Sequence, residues 1–164
     1  MNRDVPRPSP ALVVATEALL GIMFLVGVGA IVFLPGLSAD LATSFPEYAS
    51  LRAPLLVIAI TFAVLGLIAV TMVALLVLRI SNGTVLARRS LVWVDVLIVS
   101  IGCAVALIAV GFVVVSNGQA GSPAVAFTQA LTSLTLIAVA CITLVLRSLL
   151  RGAITMRAEL DGVV

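Results

Sequence analysis

Apolar residues run through this chain in four long stretches separated by short polar punctuation. The stretches cover roughly residues 11–34, 55–78, 91–115 and 124–146. Each exceeds the about 20 residues of helix that cross a hydrocarbon core about 30 Å thick, so each predicts one transmembrane helix. Proline marks the boundaries. Pro10, Pro35, Pro54 and Pro123 lie at or beyond the ends of the stretches, as expected of a residue that breaks a helix interior. Residues 116–123, SNGQAGSP, read as a tight polar turn, and Asn82-Gly83, just after Arg79, reads as a left-handed helix stop.

The pattern predicts an all-α fold: a single membrane domain over residues 1–164, built as an integral-membrane four-helix antiparallel bundle. Connections this short force neighbouring helices to run in opposite directions. The first stretch, preceded by Arg3 and Arg7, has the basic start of a signal peptide. Its apolar run is longer than the about 7–15 residues of a signal core, and three more spans follow, so a retained anchor is expected. In the first loop, residues 35–53, Leu37, Leu41, Phe45 and Tyr48 fall at helical spacing. Plain loop and a short helix lying on the membrane surface are both open for that segment. The tail from Arg147 onward is expected to continue the fourth helix past the bilayer, with Arg147 and Arg151 on one face and Gly162 as a stop.

Composition agrees with the pattern and narrows the chemistry. Of 164 residues 63% are hydrophobic and 10% charged, against roughly half and a quarter in soluble domains. There is no His, which removes the commonest general base and metal ligand. No nucleophile elbow, phosphate loop, HExxH or paired CxxC motif occurs. No catalytic residue, metal ligand or cofactor is therefore expected, and the protein is read as a non-enzyme. The net charge of +2 without a long basic run gives no footprint for direct nucleic-acid binding. Cys103 and Cys141 lie in different spans, about 10 Å apart in depth at 1.5 Å per residue. That separation is too great for a disulfide, and both read as small packing residues.

Charge placement predicts orientation. Arg3 and Arg7, then Arg79, Arg88 and Arg89, then Arg147, Arg151 and Arg157 fall on one side, with Arg52 alone on the other. Positive residues stay cytoplasmic, so both termini are expected inside, in a bacterial plasma membrane. Trp93 near the inner face and Tyr48 near the outer face suit the interfacial belt.

Two acids, Glu17 and Asp95, fall within the spans, one to two turns from the cytoplasmic end. Intramembrane carboxylates are costly and mark candidate sites. The face of Asp95 carries Val99, Gly102, Ala106 and Ala109. Its small residues predict close helix contact, and so an Asp95 turned into the bundle. A proton or cation site is one reading of the two acids. A structural pair with Arg79, Arg88, Arg89 or Arg147 at the inner rim is the favoured one, because a snorkelling arginine reaches that depth easily. Gln129 with Thr132 and Ser133 forms a polar patch on the fourth helix, read as interhelical glue ahead of a ligand cavity. Gly21, Gly66 and Gly102 suit either a homo-oligomer or packing within one chain.

The order of several segments resembles a known bacterial family. These are the first outer loop ending PEYASLRAPLLVI, the inner loop NGTVLARRSLVWVDVL and the terminal MRAELDGVV. Together with the topology they are similar to the domain-of-unknown-function family 2975, in its actinobacterial form, from about Leu19 to the end. The strongest parts are Arg52-Ala53-Pro54-Leu55 and Arg157-Ala158-Glu159-Leu160-Asp161. None is a catalytic signature. The resemblance implies a four-helix membrane protein without an established activity, and a cytoplasmic helix-turn-helix regulator as partner, since such regulators are often encoded beside family members. Where relatives often carry an aromatic residue and a proline after the inner-loop glycine, Thr84-Val85-Leu86 stands here.

Two functions follow as expectations. One is a regulatory membrane protein that binds a partner through Arg88, Arg89, Arg157, Glu159 and Asp161. The other is a small proton-coupled transporter using Glu17 and Asp95. Both acids lie near one face, and the outer halves of the helices hold no charge, which favours the first.

Overall fold

The structure, a computed structural model, describes residues 10–81 and 89–161. Four helices make up nearly all of it: α1 (Pro10–Ser44), α2 (Arg52–Ser81), α3 (Arg89–Asn117) and α4 (Pro123–Asp161), with a short 3₁₀ turn over Pro46–Leu51. All four are long and apolar enough to cross a membrane. Their packing follows chain order, α1 on α2, α2 on α3 and α3 on α4. Gly27 on α1 meets Leu67 on α2, while Ser38 further along α1 bonds Arg52 at the start of α2. Advancing along one helix retreats along the other, so the pair is antiparallel. The pairs Gly111–Gln129 and Asp95–Arg147 establish the same for α3 and α4.

The expectation for Pro35 is corrected. It lies inside α1, which continues to Ser44. Leu37 and Leu41 thus extend the first helix rather than forming a separate surface helix, and Phe45 follows its last turn. Proline takes one amide from the ladder, leaving the Ile31 carbonyl without its usual donor. Transmembrane helices tolerate this because neighbouring groups restore the lost bonds. Beside the break, the Ser38 hydroxyl donates to the Pro35 carbonyl at 2.8 Å. The prolines at the other three boundaries sit in first turns, where the missing N–H is not needed. Pro10 and Pro123 open α1 and α4, and Pro54 is third in α2. Ser122 caps α4, its hydroxyl accepting the Val125 N–H at 3.3 Å.

The turn after α3 is a left-handed helix stop. The Ala120 N–H bonds the Val115 carbonyl and the Gln119 N–H bonds the Ser116 carbonyl, both at 3.2 Å, with Gln119 at φ 52°. This is the paired-bond arrangement that usually places glycine at the left-handed position. Gly118 is used instead one residue earlier, where a Cβ would lie 2.5 Å from Leu51 Cδ1. Its smallness lets Leu51 seat on the turn, tying the α1–α2 connection to the α3–α4 connection at one end of the bundle. The Asn82-Gly83 stop lies outside the described residues.

Burial is concentrated in α3. Among the described residues the buried apolar side chains are Val94, Ile101 and Ala104, with Val94 2% exposed. By contrast Leu25 and Phe33 on α1 and Phe127 on α4 are each 70% exposed, and similar side chains cover the outside of the molecule. In water that surface would drive aggregation; in a bilayer it is the face that meets acyl chains.

Candidate functional site

One charged cluster joins two helices. Asp95 stands in the second turn of α3 and Arg147 late in α4. Arg147 donates Nε–H to Asp95 Oδ1 and Nη2–H to Oδ2, the latter at 3.1 Å. The two-pronged geometry matches the planar guanidinium to the carboxylate. The side chains remain partly open, Arg147 34% and Asp95 44% exposed. Next to them on the inward faces, Val94, Ile101, Ser100 and Thr143 are buried. Ser100 and Thr143 satisfy their hydroxyls within their own helices, on the Leu97 and Val139 carbonyls at 2.8 and 2.7 Å. Among the described arginines, Arg147 is paired with Asp95.

The face expected around Asp95 is corrected. Val99 is 64% exposed, and Gly102, Ala106 and Ala109 are exposed too. The buried stripe of α3 is Val94, Ser100, Ile101, Ala104 and Gly111, displaced sideways from them. Asp95 lies at the edge of that stripe and reaches across to α4, rather than into the centre. Small residues permit close packing without requiring it, so they could not identify the inward face. Gly21, Gly66 and Gly102 likewise meet no neighbour among the described residues; Gly27, Gly111 and Gly118 meet side chains of other elements.

Glu17 lies on α1 and is partly buried, on the same side of the helix as Val13, Leu20 and Gly27. It makes no ion pair with another described residue. The structure therefore keeps the two candidate acids apart in role: Asp95 is clasped and Glu17 is not.

Gln129 is partly buried between α3 and α4, where Gly111 leaves room for it. A Cβ at Gly111 would stand 3.8 Å from both Gln129 Nε2 and Ile58 Cγ2, so three helices approach there. Gln129 Oε1 is buried with no hydrogen-bond partner among the described residues. Two adjoining crevices of about 260 and 370 Å³ open beside it, sharing Phe112 and Ala126 in their walls. Among the described residues, the patch of Gln129, Thr132 and Ser133 makes no side-chain hydrogen bond to another helix. Thr128, Thr132 and Thr135 are exposed and donate to carbonyls of their own helix, those of Ala124, Thr128 and Leu131. A threonine can satisfy itself on the preceding turn, so its presence on a helix does not imply a partner.

The proposed contact surface is partly placed. Arg88 lies outside the described residues. Arg89 opens α3, and Arg157, Glu159 and Asp161 lie on the last turns of α4. Trp93 is half-buried one turn into α3. Cys103 and Cys141 are free thiols on exposed faces, so the expectation of packing residues is corrected. No group of three His, Cys, Asp or Glu residues able to share a metal occurs among the described residues.

A feature that sequence reasoning missed lies at the opposite end from Arg147. Arg52 donates Nε–H to Ser38 Oγ at 3.3 Å across the mouth of an apolar crevice of about 650 Å³. Leu34, Leu37 and Leu41 of α1 face Leu55, Leu56 and Ala59 of α2 across it. The leucine spacing was visible in the sequence. Proline at position 35 concealed that it belonged to the first helix.

These features define a multi-pass helical membrane protein with the Asp95–Arg147 ion pair between helices at one end and an arginine-rimmed apolar crevice at the other. Residues 36–164 match the family described as Protein of unknown function (DUF2975), and the chain belongs to that family. The match begins directly after Pro35, leaving most of α1 outside it. No curated protein and no solved structure matches the chain.

Proposed function

We propose that this is a non-enzymatic membrane protein that binds a cytoplasmic partner through the free end of α4. The observation that carries the reading is the length of that helix. It runs unbroken for 39 residues from Pro123 to Asp161, about 58 Å at 1.5 Å per residue, against a hydrocarbon core of about 30 Å. Nearly half of it must therefore stand beyond the core, and that half carries Arg147, Arg151, Arg157, Glu159 and Asp161. A preformed helix of mixed charge presents a surface without first losing the entropy of ordering. The eight-to-one split of arginines supports an orientation with this end, and both chain termini, in the cytoplasm of a bacterial cell. The family resemblance makes a small helix-turn-helix regulator the partner to seek first. Deleting residues 157–164 should abolish co-purification of the partner while leaving membrane insertion intact. The same partners recovered without the tail would refute this surface.

A second reading, a small proton-coupled transporter, draws on Glu17, the spanning carboxylate without an ion-pair partner among the described residues. Asp95 suits that role less well, because its oxygens are already held by Arg147. Substrate-dependent proton movement in proteoliposomes, lost in Glu17→Gln, would favour transport over partner binding.

A further inference from the structure

The crevice between α1 and α2 is closed on a third side by the other connection at this end. Ala120 and Val125 line it together with Phe45 and Leu51. Its volume, about 650 Å³, lies within the roughly 300–1,000 Å³ of small-molecule sites, and its design resembles theirs: apolar walls and few polar groups. The polar group here is Arg52, exposed and held in place by Ser38. Beyond the N–H given to Ser38, a guanidinium has four more N–H donors. The positive end of α2, 30 residues long, lies at the same point and adds to the attraction for an anion.

Depth distinguishes an occupant. Ala59 lies seven residues below Arg52 on α2, about 10 Å at 1.5 Å per residue. Ala59 is therefore near the rim of the second apolar stretch, and Arg52 stands about two turns above, at headgroup height. A site with its cation at headgroup height and an apolar floor at the edge of the hydrocarbon has the polarity profile of one bilayer leaflet. We propose that the crevice binds a single anionic phospholipid, its phosphate on Arg52 and the upper part of one acyl chain against Leu37, Leu41, Leu56 and Ala59. The inference holds for either orientation of the chain, and it does not depend on the partner proposed above.

Native mass spectrometry of the full chain in a mild detergent tests this with defined probes. The wild type should bind one dioleoyl phosphatidylglycerol about five times more tightly than dioleoyl phosphatidylcholine, the worth of one arginine near an anionic headgroup. Arg52→Gln should bring the two lipids level. Ala59→Phe, which fills the floor and leaves the arginine, should weaken both. Ser38→Ala is a milder change that frees Arg52 and should reduce the preference without removing the site, so the result does not rest on one variant's folding. Retained preference in Arg52→Gln would overturn the proposal. So would competition by glycerol 3-phosphate as strong as by the intact lipid, since a chain would then contribute nothing. Oleate binding as tightly as phosphatidylglycerol would replace the lipid by a fatty acid. A dimer lost on Ala59→Phe would show that a second copy fills the crevice.

Discussion

α1 and α3 are both apolar along their length, yet they occupy different places. α1 packs on α2 at the edge of the array, whereas α3 is flanked by α2 and α4. Most large side chains of α1 are exposed and none is fully buried, whereas α3 holds Val94, Ile101 and Ala104 in the interior. Hydrophobicity cannot separate the two, because lipid tails and helix neighbours are equally apolar solvents for a leucine. The difference lies in how closely neighbours approach and where the polar groups are satisfied. α3 is also fixed at both ends, by the Asp95–Arg147 pair and by the Gln119 turn.

The largest effect should come from overfilling the interior helix. Ala104 is 7% exposed, and Ala104→Phe has no space to enter; a loss of about 3 kcal/mol is expected. The same exchange at Ala30, on the exposed side of α1, should stay within about 0.5 kcal/mol. Equilibrium unfolding of both in mixed micelles measures the contrast. Equal losses would mean that α1 is buried against something beyond this chain.

Gly27 provides the next test, because there a side chain of α2 crowds the edge helix. A Cβ there would stand 2.7 Å from Leu67 Cδ2, whereas Gly21 has open space. Gly27→Val should cost about 1–2 kcal/mol, moderated because a leucine terminus can shift. Gly21→Val should be neutral or slightly favourable, since valine is the better helix former. A detergent melting series of the two variants reads the difference.

These contrasts also show what was legible beforehand. Four spans, their antiparallel order and the extension of α4 followed from run lengths and loop lengths, because the bilayer dictates how long a helix must be. The turn at 116–123 was legible from its Asn, Gly and Ser residues. Arg147 was among the partners expected for Asp95, since depth limits which arginines can reach it. The inward face of α3 was not legible: Gly102, Ala106 and Ala109 are as small as Ala104 and Gly111, and only the neighbours decide which stripe is covered. The Arg52 crevice was hidden for a different reason. Pro35 follows the rule for water-soluble helices that proline ends a helix, and a transmembrane helix is exempt when its surroundings accept the lost bond.

At the far end of α3, Gln119 adopts the left-handed backbone that side chains with a Cβ disfavour. Gln119→Gly should therefore raise stability by about 0.5–1 kcal/mol, the relief of that strain less the added freedom of the unfolded chain. Gly118→Ala should act in the opposite direction, because its Cβ would meet Leu51. Unfolding midpoints of the two variants should fall on either side of the wild type. A loss in both would mean that the Gln119 side chain contributes a contact that outweighs its backbone strain.

The smallest effect concerns the two acids, and it separates the helices by charge rather than by packing. Asp95→Asn keeps the shape of the side chain but removes the charge from a two-pronged contact with Arg147. Both groups are partly open to their surroundings, so screening limits what the pair contributes, and only a modest fall in melting temperature is expected. The double variant with Arg147→Gln should lose less than the two single losses together, the signature of a direct interaction. Glu17 makes no such pair with another described residue, and a partly buried carboxylate carries a desolvation cost. Glu17→Gln should accordingly leave the melting temperature unchanged or raise it. A loss at Glu17 matching the loss at Asp95 would mean that α1 is anchored by charge as α3 is, and would remove the distinction between the edge helix and the interior one.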